Sequence, residues 1–251
     1  MKENWIAALP VYNEVQYLDE VLTEVLRYAE HVLVVDDGSS DGTSEKLRKR
    51  NDVRVVHHPV NRGYGAALQT AFQYTIDHGF DGVVTLDCDG QHQPKRIPRF
   101  IESAAAVDIV SGSRYLKQYE GDSTPPAQRM FINRLITSDL NRCLELNLTD
   151  AFCGFKAYRS SALQQLNITN DGYAMPLQLW VQAAAAGLTI MEIPVPLIYL
   201  DLERTFGGKL DHAQTRLEYY KSVMAEAARE VIQSGGRLPE FSPCRAAAIS
   251  G

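Results

Sequence analysis

The sequence predicts an α/β protein with a mostly parallel central sheet flanked by helices. Within the first 112 residues, five segments typical of strands alternate with segments typical of helices. The strand segments are short apolar runs rich in β-branched residues, as in HVLVVDD at 31–37, which is the composition of a buried parallel strand. The helical segments carry apolar residues three and four positions apart, on one face. Such alternation predicts a parallel sheet with helices on both sides.

The first half of the chain supplies those five strands. A strand at 4–9 ends at Pro10 and precedes a helix at 14–29. Asp41 or Thr43 is expected to cap the helix after the second strand, because short polar side chains accept hydrogen bonds from the free N–H groups there. The other predicted strands cover 31–37, 53–57, 81–86 and 107–112, with helices at 64–78 and from Pro94 onwards.

The second half of the chain is less regular. A polar loop at 115–126 is followed by predicted helices at 127–146, 174–186 and 211–234, a strand at 189–195 and irregular chain at 199–210. We treat 1–234 as one domain, with a regular half at 1–112 and a less regular half at 113–234. The tail at 235–251 has no periodicity and is predicted to be disordered.

Composition describes an ordinary globular protein without a basic surface. Of 251 residues, 45% are hydrophobic and 22% are charged, and the formal net charge is −6. A general nucleic-acid binder needs a basic footprint, so we exclude that class. The four cysteines lack the spacing of a zinc site and are predicted to be free thiols in a reducing cytoplasm. We expect neither a signal peptide nor a membrane span, because the apolar stretch near the N-terminus is short and the most apolar region, 181–200, contains polar residues and prolines.

Three of the predicted strands end in polar, mostly acidic segments. These segments are PVYNE at 10–14, DDGSSDGT at 36–43 and DCDGQH at 87–92. Ligands of open α/β sheets bind at the carboxyl ends of the strands, so we expect the three segments to open onto one edge. Crowded carboxylates repel one another unless a cation or hydrogen-bond donors offset their charge.

The third acidic segment offers oxygen ligands for a divalent metal. Asp87, Asp89 and Gln91 stand at alternating positions. Carboxylate and amide oxygens suit Mg²⁺ or Mn²⁺, which often also bind phosphate oxygens. We expect His92 to form hydrogen bonds rather than to bind the metal. A lone aspartate pair often only caps a loop, but the two other acidic strand ends favour the metal interpretation.

A dinucleotide site of the Rossmann type is the obvious competitor, and its glycines are missing. That site needs G-x-G-x-x-G directly after the first strand, where this chain has PVYNE. A partial match from Gly63 to Gly65 follows the third strand instead. We therefore expect a metal and side chains to neutralise bound phosphates.

Six motifs, in order, resemble glycosyltransferase family 2. They are PVYNE, VVDDGSSDGT, NRGYGAAL, LDCDGQHQP, SGSRY and DAFCGFKAYR, and the resemblance covers residues 5–210. Within the family, the dolichyl- and polyprenyl-phosphate sugar synthases, such as dolichol-phosphate mannose synthase, are the most similar group. The resemblance implies a GT-A fold and a GDP- or UDP-sugar donor. It also implies an inverting hexosyl transfer that depends on Mg²⁺ or Mn²⁺.

The resemblance also implies a donor-binding half at 1–112 and an acceptor half at 113–234, and it implies which residues hold the donor. The donor-binding set is Pro10, Tyr12, Asn13, Glu14, Asp37, Arg62, Asp87, Arg204 and Lys209. Asp89 and Gln91 would bind the metal, with Asp87 beside the donor or as a further ligand. Arg204 and Lys209 resemble a basic clamp near the diphosphate, where negative charge grows as the bond to the sugar breaks.

Two arginines resemble residues that bind the acceptor phosphate. Arg114 follows the fifth strand, and Arg134 lies in the helix at 127–146. The rigid fork of donors on arginine suits phosphate oxygens. Together with Asp89 and Asp150, these two arginines form the candidate catalytic set.

Departures from the family pattern bear on the acceptor. Relatives often carry an acidic residue where this chain has Gln178, and glutamine cannot take a proton. A phosphate acceptor is already an anion, whereas a sugar hydroxyl needs a base. Gln178 therefore favours a phosphate acceptor, or a base elsewhere, for which Asp150 is the candidate. Other departures are a polar insert around 116–126 and Gly207–Gly208, where relatives usually carry a serine before the lysine.

The function predicted from these features is hexosyl transfer to a polyprenyl or dolichyl phosphate. Three alternatives stay open: transfer to a sugar or protein hydroxyl, a non-catalytic nucleotide-sugar-binding subunit supported by Gln178 alone, and a nucleotidyltransferase. We expect a cytoplasmic protein without nucleic-acid partners. Peripheral contact with a membrane, or with a membrane partner, is an open alternative for the arginine-edged helix at 127–146, whose apolar stripe is also suited to packing on the sheet. The oligomeric state is left open.

Overall fold

Seven strands form one sheet in the computed structural model, which describes residues 3–200, 210 and 212–239. The strands are β1 (Trp5–Val11), β2 (His31–Asp36), β3 (Arg54–His57), β4 (Gly82–Thr85), β5 (Ile109–Ser113), β6 (Lys156–Arg159) and β7 (Ile190–Pro194). Their order across the sheet is β3-β2-β1-β4-β6-β5-β7. The predicted α/β class, with a mostly parallel sheet, is confirmed.

The direction of the strands decides which loops meet. β3, β2, β1 and β4 are parallel neighbours, so their carboxyl ends share one edge, as predicted. β6 runs antiparallel to both β4 and β5, which leaves β5 parallel to β4. The carboxyl end of β5 therefore opens onto the same edge. The sequence did not predict β6, because its four residues begin with a lysine and are too few to show an alternating pattern.

Helices connect and cover the strands. They are α1 (Leu18–Val25), α2 (Thr43–Arg48), α3 (Tyr64–Asp77), α4 (Ile97–Ser103), α5 (Ala127–Leu144), α6 (Ser160–Leu163), α7 (Met175–Ala185) and α8 (Ala213–Gln233). Most lie where they were predicted, although α1 starts after a turn in which Leu18 donates to the carbonyl of Glu14. The residue at the capping position of α2 is Gly42, in a left-handed conformation, rather than Asp41 or Thr43. Asp41 nevertheless accepts hydrogen bonds from the N–H and the hydroxyl of Thr43, the first residue of α2, as its expected role required.

The core lies on both faces of the sheet. Alternate residues of β1 point to opposite sides, so Ile6 and Ala8 belong to one apolar cluster while Trp5 and Leu9 belong to the other. The first cluster packs under α3, α5, α7 and α8, and the second packs under α1 and α4. Both faces are therefore dry, as a largely parallel sheet requires.

Helix α5 packs its apolar stripe on the core. Ile132, Ile136 and Leu140 are buried, whereas 63% of Phe131 is exposed on the outer face. Within the described residues, no helix combines the length and apolar character needed to cross a bilayer. Cys88, Cys143 and Cys153 are buried and form no disulfide with one another, as predicted.

Two predictions fall partly or wholly outside the described residues. The irregular stretch at 199–210 includes 201–209, which the structure does not describe, and most of the tail lies at 240–251, which is likewise outside. Within the tail, Leu238 is 5% exposed and packs with the first core cluster. Its burial shows that the tail packs on the domain at Leu238, although residues 235–237 are exposed.

Gly65 provides a test of how α3 packs against the loop before α7. A Cβ at this position would lie 2.1 Å from the carbonyl oxygen of Asn170 and 2.9 Å from the backbone carbon of Asp171. In an open helix, Gly→Ala raises stability by up to about 1 kcal/mol. Here we expect Gly65→Ala to lower the free energy of unfolding by roughly 1–3 kcal/mol, because backbone atoms must move. Urea denaturation measures the change.

The control for Gly65→Ala is Ser138→Ala, at an exposed position of α5. It improves helix propensity without a new contact, so its effect should stay within about 0.5 kcal/mol. A rise in the stability of Gly65→Ala above wild type would contradict this packing.

Candidate active site

The first two acidic loops are joined by hydrogen bonds. The N–H of Asn13 donates to the hydroxyl of Ser39 at 2.9 Å, and the side-chain oxygen of Asn13 accepts from the N–H of Ser40 at 2.8 Å. Asn13 has a φ of 57°, a left-handed conformation that asparagine tolerates better than most residues. The N–H of Glu14 donates to Thr43 at 3.0 Å. Asn13, predicted to bind the donor, thus ties the two loops together.

Asp36, at the end of β2, is a buried carboxylate satisfied by the chain. It accepts hydrogen bonds from the N–H of Ser39 at 3.1 Å, the hydroxyl of Ser44 and Nδ1 of His57 at 2.8 Å. Burial alone would raise the pKa of Asp36, but these hydrogen bonds outweigh burial and lower the pKa. Asp36 is therefore held as an anion under the loop.

Asp37 shapes the loop that follows β3. Its carboxylate accepts from Nδ1 of His58 at 2.6 Å and from the N–H groups of Arg62 and Gly63 at 3.0 and 2.7 Å. Asp37 is 3% exposed. It brings the segment that contains Arg62 next to the end of β2, where the donor base was predicted to bind.

Tyr12 and Arg62 leave their side chains open beside this loop. Tyr12 is 44% exposed, and Arg62 is exposed as well. Pro10, by contrast, lies within β1 opposite Val35. Two of the predicted donor residues therefore present free surfaces at the shared edge, and Pro10 supports them from the strand.

Asp87, directly beyond β4, has a carboxylate oxygen without a hydrogen bond. Its Oδ1 atom is buried and has no partner among the described residues. Gly154 presses against the same carboxylate, because a Cβ there would lie 2.4 Å from Oδ2. The N–H of Asp87 donates to Nδ1 of His92 at 3.1 Å, as expected for a histidine that forms hydrogen bonds. A buried carboxylate oxygen without a donor is costly unless a cation satisfies it.

Asp87, Asp89 and Gln91 form a set suited to a hard cation. The loop is folded so that the N–H of Gln91 donates to Oδ1 of Asp89 at 3.0 Å. In the part of the chain that the structure describes, no three His, Cys, Asp or Glu side chains gather as a metal cluster. Two carboxylates and an amide fit Mg²⁺ or Mn²⁺, because these ions complete their coordination with water and phosphate oxygens.

Arg114, directly beyond β5, forms a bidentate ion pair with Asp150. Its Nε and Nη2 atoms donate to Oδ2 and Oδ1 at 2.6 and 2.9 Å. Asp150 is fully buried, and Asn133 of α5 also donates to it at 2.8 Å. Burial alone would raise the pKa of Asp150, but the Arg114 guanidinium outweighs burial and lowers that pKa to about 2. These contacts favour a structural role for Asp150 over that of a general base.

Arg134 follows Asn133 on α5 and is exposed. Asn133 donates to the same Asp150 carboxylate that pairs with Arg114, so the two arginine-bearing segments approach each other. The structure thus brings Arg134 towards the end of β5. Arg204 and Lys209, predicted as a clamp on the diphosphate, lie outside the described residues.

Gln178 has a structural explanation. Its side-chain oxygen accepts from the N–H groups of Thr169 and Asn170, both at 2.9 Å, and its amide nitrogen donates to Thr169 and to Glu230. It is 4% exposed. Glutamine at this position therefore anchors the loop before α7. The alternative of a non-catalytic subunit rested on Gln178 alone and loses that support.

Sequence reasoning missed the partners of the acidic residues. His57 and His58 pair with Asp36 and Asp37 across 21 residues each, and Asn133 pairs with Asp150 across 17. Two adjacent histidines at the carboxyl end of β3 were a signal that polar side chains meet there. For Asn133, within an apolar helical stripe, the only signal was its amide.

Structural comparison identifies the fold. Glucosyl-3-phosphoglycerate synthase from Mycobacterium tuberculosis, solved with Mn²⁺, UDP and glucosyl-3-phosphoglycerate, has a TM-score of 0.68 to this chain at 17% identity. The match covers 90% of this chain and 80% of that one. At this identity the likeness shows the fold alone, and the fold is the predicted GT-A fold.

Sequence comparison defines the family. The model for Glycosyl transferase family 2 matches residues 7–166. The chain is 32% identical to an undecaprenyl-phosphate mannosyltransferase of Micrococcus luteus, over 78% of this chain and 84% of that protein. It is 28% identical to a polyprenol monophosphomannose synthase of Mycolicibacterium smegmatis, over 76% of each. The chain belongs to glycosyltransferase family 2, as its motifs predicted.

The Asp36 cluster predicts a pH-dependent stability change in Ser44→Ala. Because the folded pKa of Asp36 is lowered, its hydrogen bonds stabilise the fold above the unfolded pKa, and this stability is lost as pH falls through the folded pKa. Removing the Ser44 hydroxyl should therefore cost roughly 1–3 kcal/mol at neutral pH, and less in acid. Denaturant unfolding at a series of pH values measures both.

Ser40→Ala, in the same loop but with an exposed side chain, is the matched control. It should have little effect at any pH. A cost for Ser44→Ala that stays constant from neutral to acidic pH would show that the hydroxyl does not stabilise the Asp36 anion.

Proposed function

We propose that this chain transfers a hexose, with inversion, from a GDP- or UDP-sugar to a polyprenyl phosphate, using Mg²⁺ or Mn²⁺. The observation that carries the proposal is the Oδ1 atom of Asp87, a buried oxygen that lacks a hydrogen-bond partner among the described residues. It lies where the carboxyl ends of four parallel strands meet. An incomplete carboxylate at such an edge is suited to a cation that accompanies a diphosphate.

The donor is assigned to the loops beyond β1, β2 and β4. The exposed ring of Tyr12 is suited to packing on a nucleobase, and Asp37 holds the loop with Arg62 beside it. Asp87, Asp89 and Gln91 would hold the divalent cation. When bound, that ion stabilises the negative charge that develops on the leaving nucleoside diphosphate. Glucosyl-3-phosphoglycerate synthase, of the same fold, was solved with UDP and Mn²⁺.

The acceptor is assigned to the arginines beyond β5 and on α5. Two relatives are named as enzymes of undecaprenyl phosphate and polyprenol monophosphate chemistry. Arg114 and Arg134 offer donors to an anionic acceptor oxygen. Phosphate needs no strong base, and Asp150, the base candidate, has its carboxylate engaged by Arg114. A phosphate acceptor therefore agrees better with these contacts than a sugar hydroxyl does.

The general test is to incubate the protein with labelled nucleotide sugars, Mn²⁺ and polyprenyl phosphate. We expect a lipid-linked sugar and a nucleoside diphosphate. Transfer only to a sugar or protein hydroxyl would reject the lipid acceptor, and release of pyrophosphate would identify a nucleotidyltransferase.

Replacing both Asp89 and Gln91 with alanine tests the metal site. We expect Mn²⁺-dependent binding of the nucleoside diphosphate, measured by calorimetry, to weaken by about a hundredfold or more, because two oxygen ligands are lost. Asp52→Asn, an exposed carboxylate change before β3, is the control and should leave binding unchanged. If the double variant kept the affinity and turnover of wild type in the presence of a chelator, the metal assignment would be refuted.

A second consequence of a lipid acceptor concerns Phe131. This side chain is 63% exposed, three residues before Arg134 on the outer face of α5. We propose that it contacts the membrane that holds the acceptor, and that the protein binds peripherally at the cytoplasmic face. Phe131→Ser should raise the KM for long-chain polyprenyl phosphate in anionic vesicles by about tenfold. The variant lacks the apolar ring whose burial in the membrane stabilises binding.

The control for the membrane contact is Tyr28→Ser, a partly exposed ring beyond α1. It should not change the KM in vesicles. A short-chain, water-soluble polyprenyl phosphate is the second control, because Phe131→Ser should use it as well as wild type does. Equal loss with both acceptors would show that Phe131 acts without a membrane.

A further inference from the structure

We propose that Asp150 is a positioning residue: it turns one edge of the Arg114 guanidinium towards the acceptor phosphate and fixes the turn of α5 that carries Arg134. This inference rests on the proposed function and specifies how its acceptor site is built. It replaces the role of general base that the sequence left open for Asp150.

The guanidinium of Arg114 has one edge that Asp150 does not occupy. Arginine carries five N–H donors in a rigid plane, with one edge formed by Nε and Nη2 and another by Nη1 and Nη2. Asp150 accepts from the first edge, at 2.6 and 2.9 Å. The second edge therefore points away from this carboxylate, and 20% of the Arg114 side chain is exposed. That edge is a fork suited to two oxygens of a phosphate.

The Asp150 side chain is fixed and cannot rotate with the Arg114 guanidinium. It is fully buried, and Oδ1 also accepts from Nδ2 of Asn133 at 2.8 Å and from the N–H of Phe152 at 3.2 Å. Its own N–H donates to Glu192 of β7 at 3.0 Å. Arg114, Asn133 and Phe152 thus hold the carboxylate, and Glu192 holds the backbone of Asp150, so the plane of the paired guanidinium is fixed.

The same carboxylate is also linked to α5. Asn133 donates to Asp150 and accepts from the hydroxyl of Thr137 at 3.0 Å, and that hydroxyl accepts from the N–H of Ala151 at 3.2 Å. Two successive turns of α5 are thus fastened to the segment around Asp150. Arg134 is the residue after Asn133, so its starting point is set by this network.

The contacts of Asp150 also argue against proton transfer. Both oxygens point at N–H donors, which leaves no oxygen directed at an acceptor hydroxyl. A general base must lie within hydrogen-bond reach of the proton it removes. The carboxylate serves instead as the fixed counter-charge of an arginine that touches the acceptor.

The test is Asp150→Asn, which keeps the shape of the side chain and removes its charge. At saturating nucleotide sugar, we expect the KM for polyprenyl phosphate to rise by about tenfold to a hundredfold, as for the loss of a charged hydrogen bond. We expect kcat to fall by less than KM rises, and the donor affinity measured by calorimetry to stay unchanged. Asp139→Asn, which removes a partly buried carboxylate paired with Arg142 on the same helix and with Lys221 of α8, should change neither constant.

Arg114→Lys is the second variant, and it decides the question if Asp150→Asn does not fold. Lysine keeps a positive charge opposite Asp150 but has no second edge. We expect a KM for polyprenyl phosphate raised by at least about tenfold, with a melting temperature close to that of wild type. An unchanged KM would show that Arg114 only neutralises Asp150, which overturns the proposal.

The general-base role predicts a different pattern. In that case Asp150→Asn would lower kcat by orders of magnitude while the KM for the acceptor stayed near that of wild type. That result would overturn the positioning role without touching the proposed function. Failure of the wild-type protein to transfer sugar to polyprenyl phosphate would instead refute the function itself.

Discussion

Negative charge concentrated at one edge of the sheet is the constraint on which this site depends. Asp36 and Asp37 lie at the end of β2, and Asp87 lies beyond β4, at the same edge of the sheet. Asp150 pairs with Arg114, which lies beyond β5 at that edge. Buried like charges repel, so each carboxylate needs donors or a cation. Hydrogen bonds satisfy the first two, and Arg114 satisfies Asp150. Asp87 alone among these four has a buried oxygen without a partner in the described residues.

The difference between satisfied and unsatisfied carboxylates separates support from chemistry. The hydrogen bonds that Asp36 and Asp37 accept fix the shape of two loops. Those that Asp150 accepts hold an arginine and a helix in place. Gly154 is required beside Asp87 because any side chain would collide with the carboxylate. The chain thus holds Asp87 in place by close packing rather than by hydrogen bonds to Oδ1, which leaves that oxygen for a ligand.

The fold was predictable because its signals are local. Buried parallel strands are continuous apolar runs, and the direction of the strands then places the acidic loops on one edge. β6 escaped prediction because its pairing with β4 and β5 is a tertiary feature of four residues. The two core clusters follow from the alternation along β1, which any buried strand shows.

The site was predictable as a set of residues but not as a set of roles. His58 and Asn133 lie far along the chain from the carboxylates they satisfy, so the sequence did not show which acidic residues were already paired. Gln178 looked like a missing base because only its residue type was visible. The hydrogen bonds of its side-chain amide to Thr169 and Glu230 depend on the positions of the loop before α7 and of helix α8.

Pairing with a carboxylate changes how Arg114 recognises an anion. The chain has a net charge of −6, so its overall field does not attract a phosphate. An arginine paired with Asp150 adds little net charge at a distance, because the two opposite charges cancel there. At contact, however, the remaining edge of the guanidinium still presents its donors in a fixed plane. Such a site selects a phosphate by the positions of its oxygens rather than by its charge alone, and it can do so only while Asp150 keeps the plane from turning.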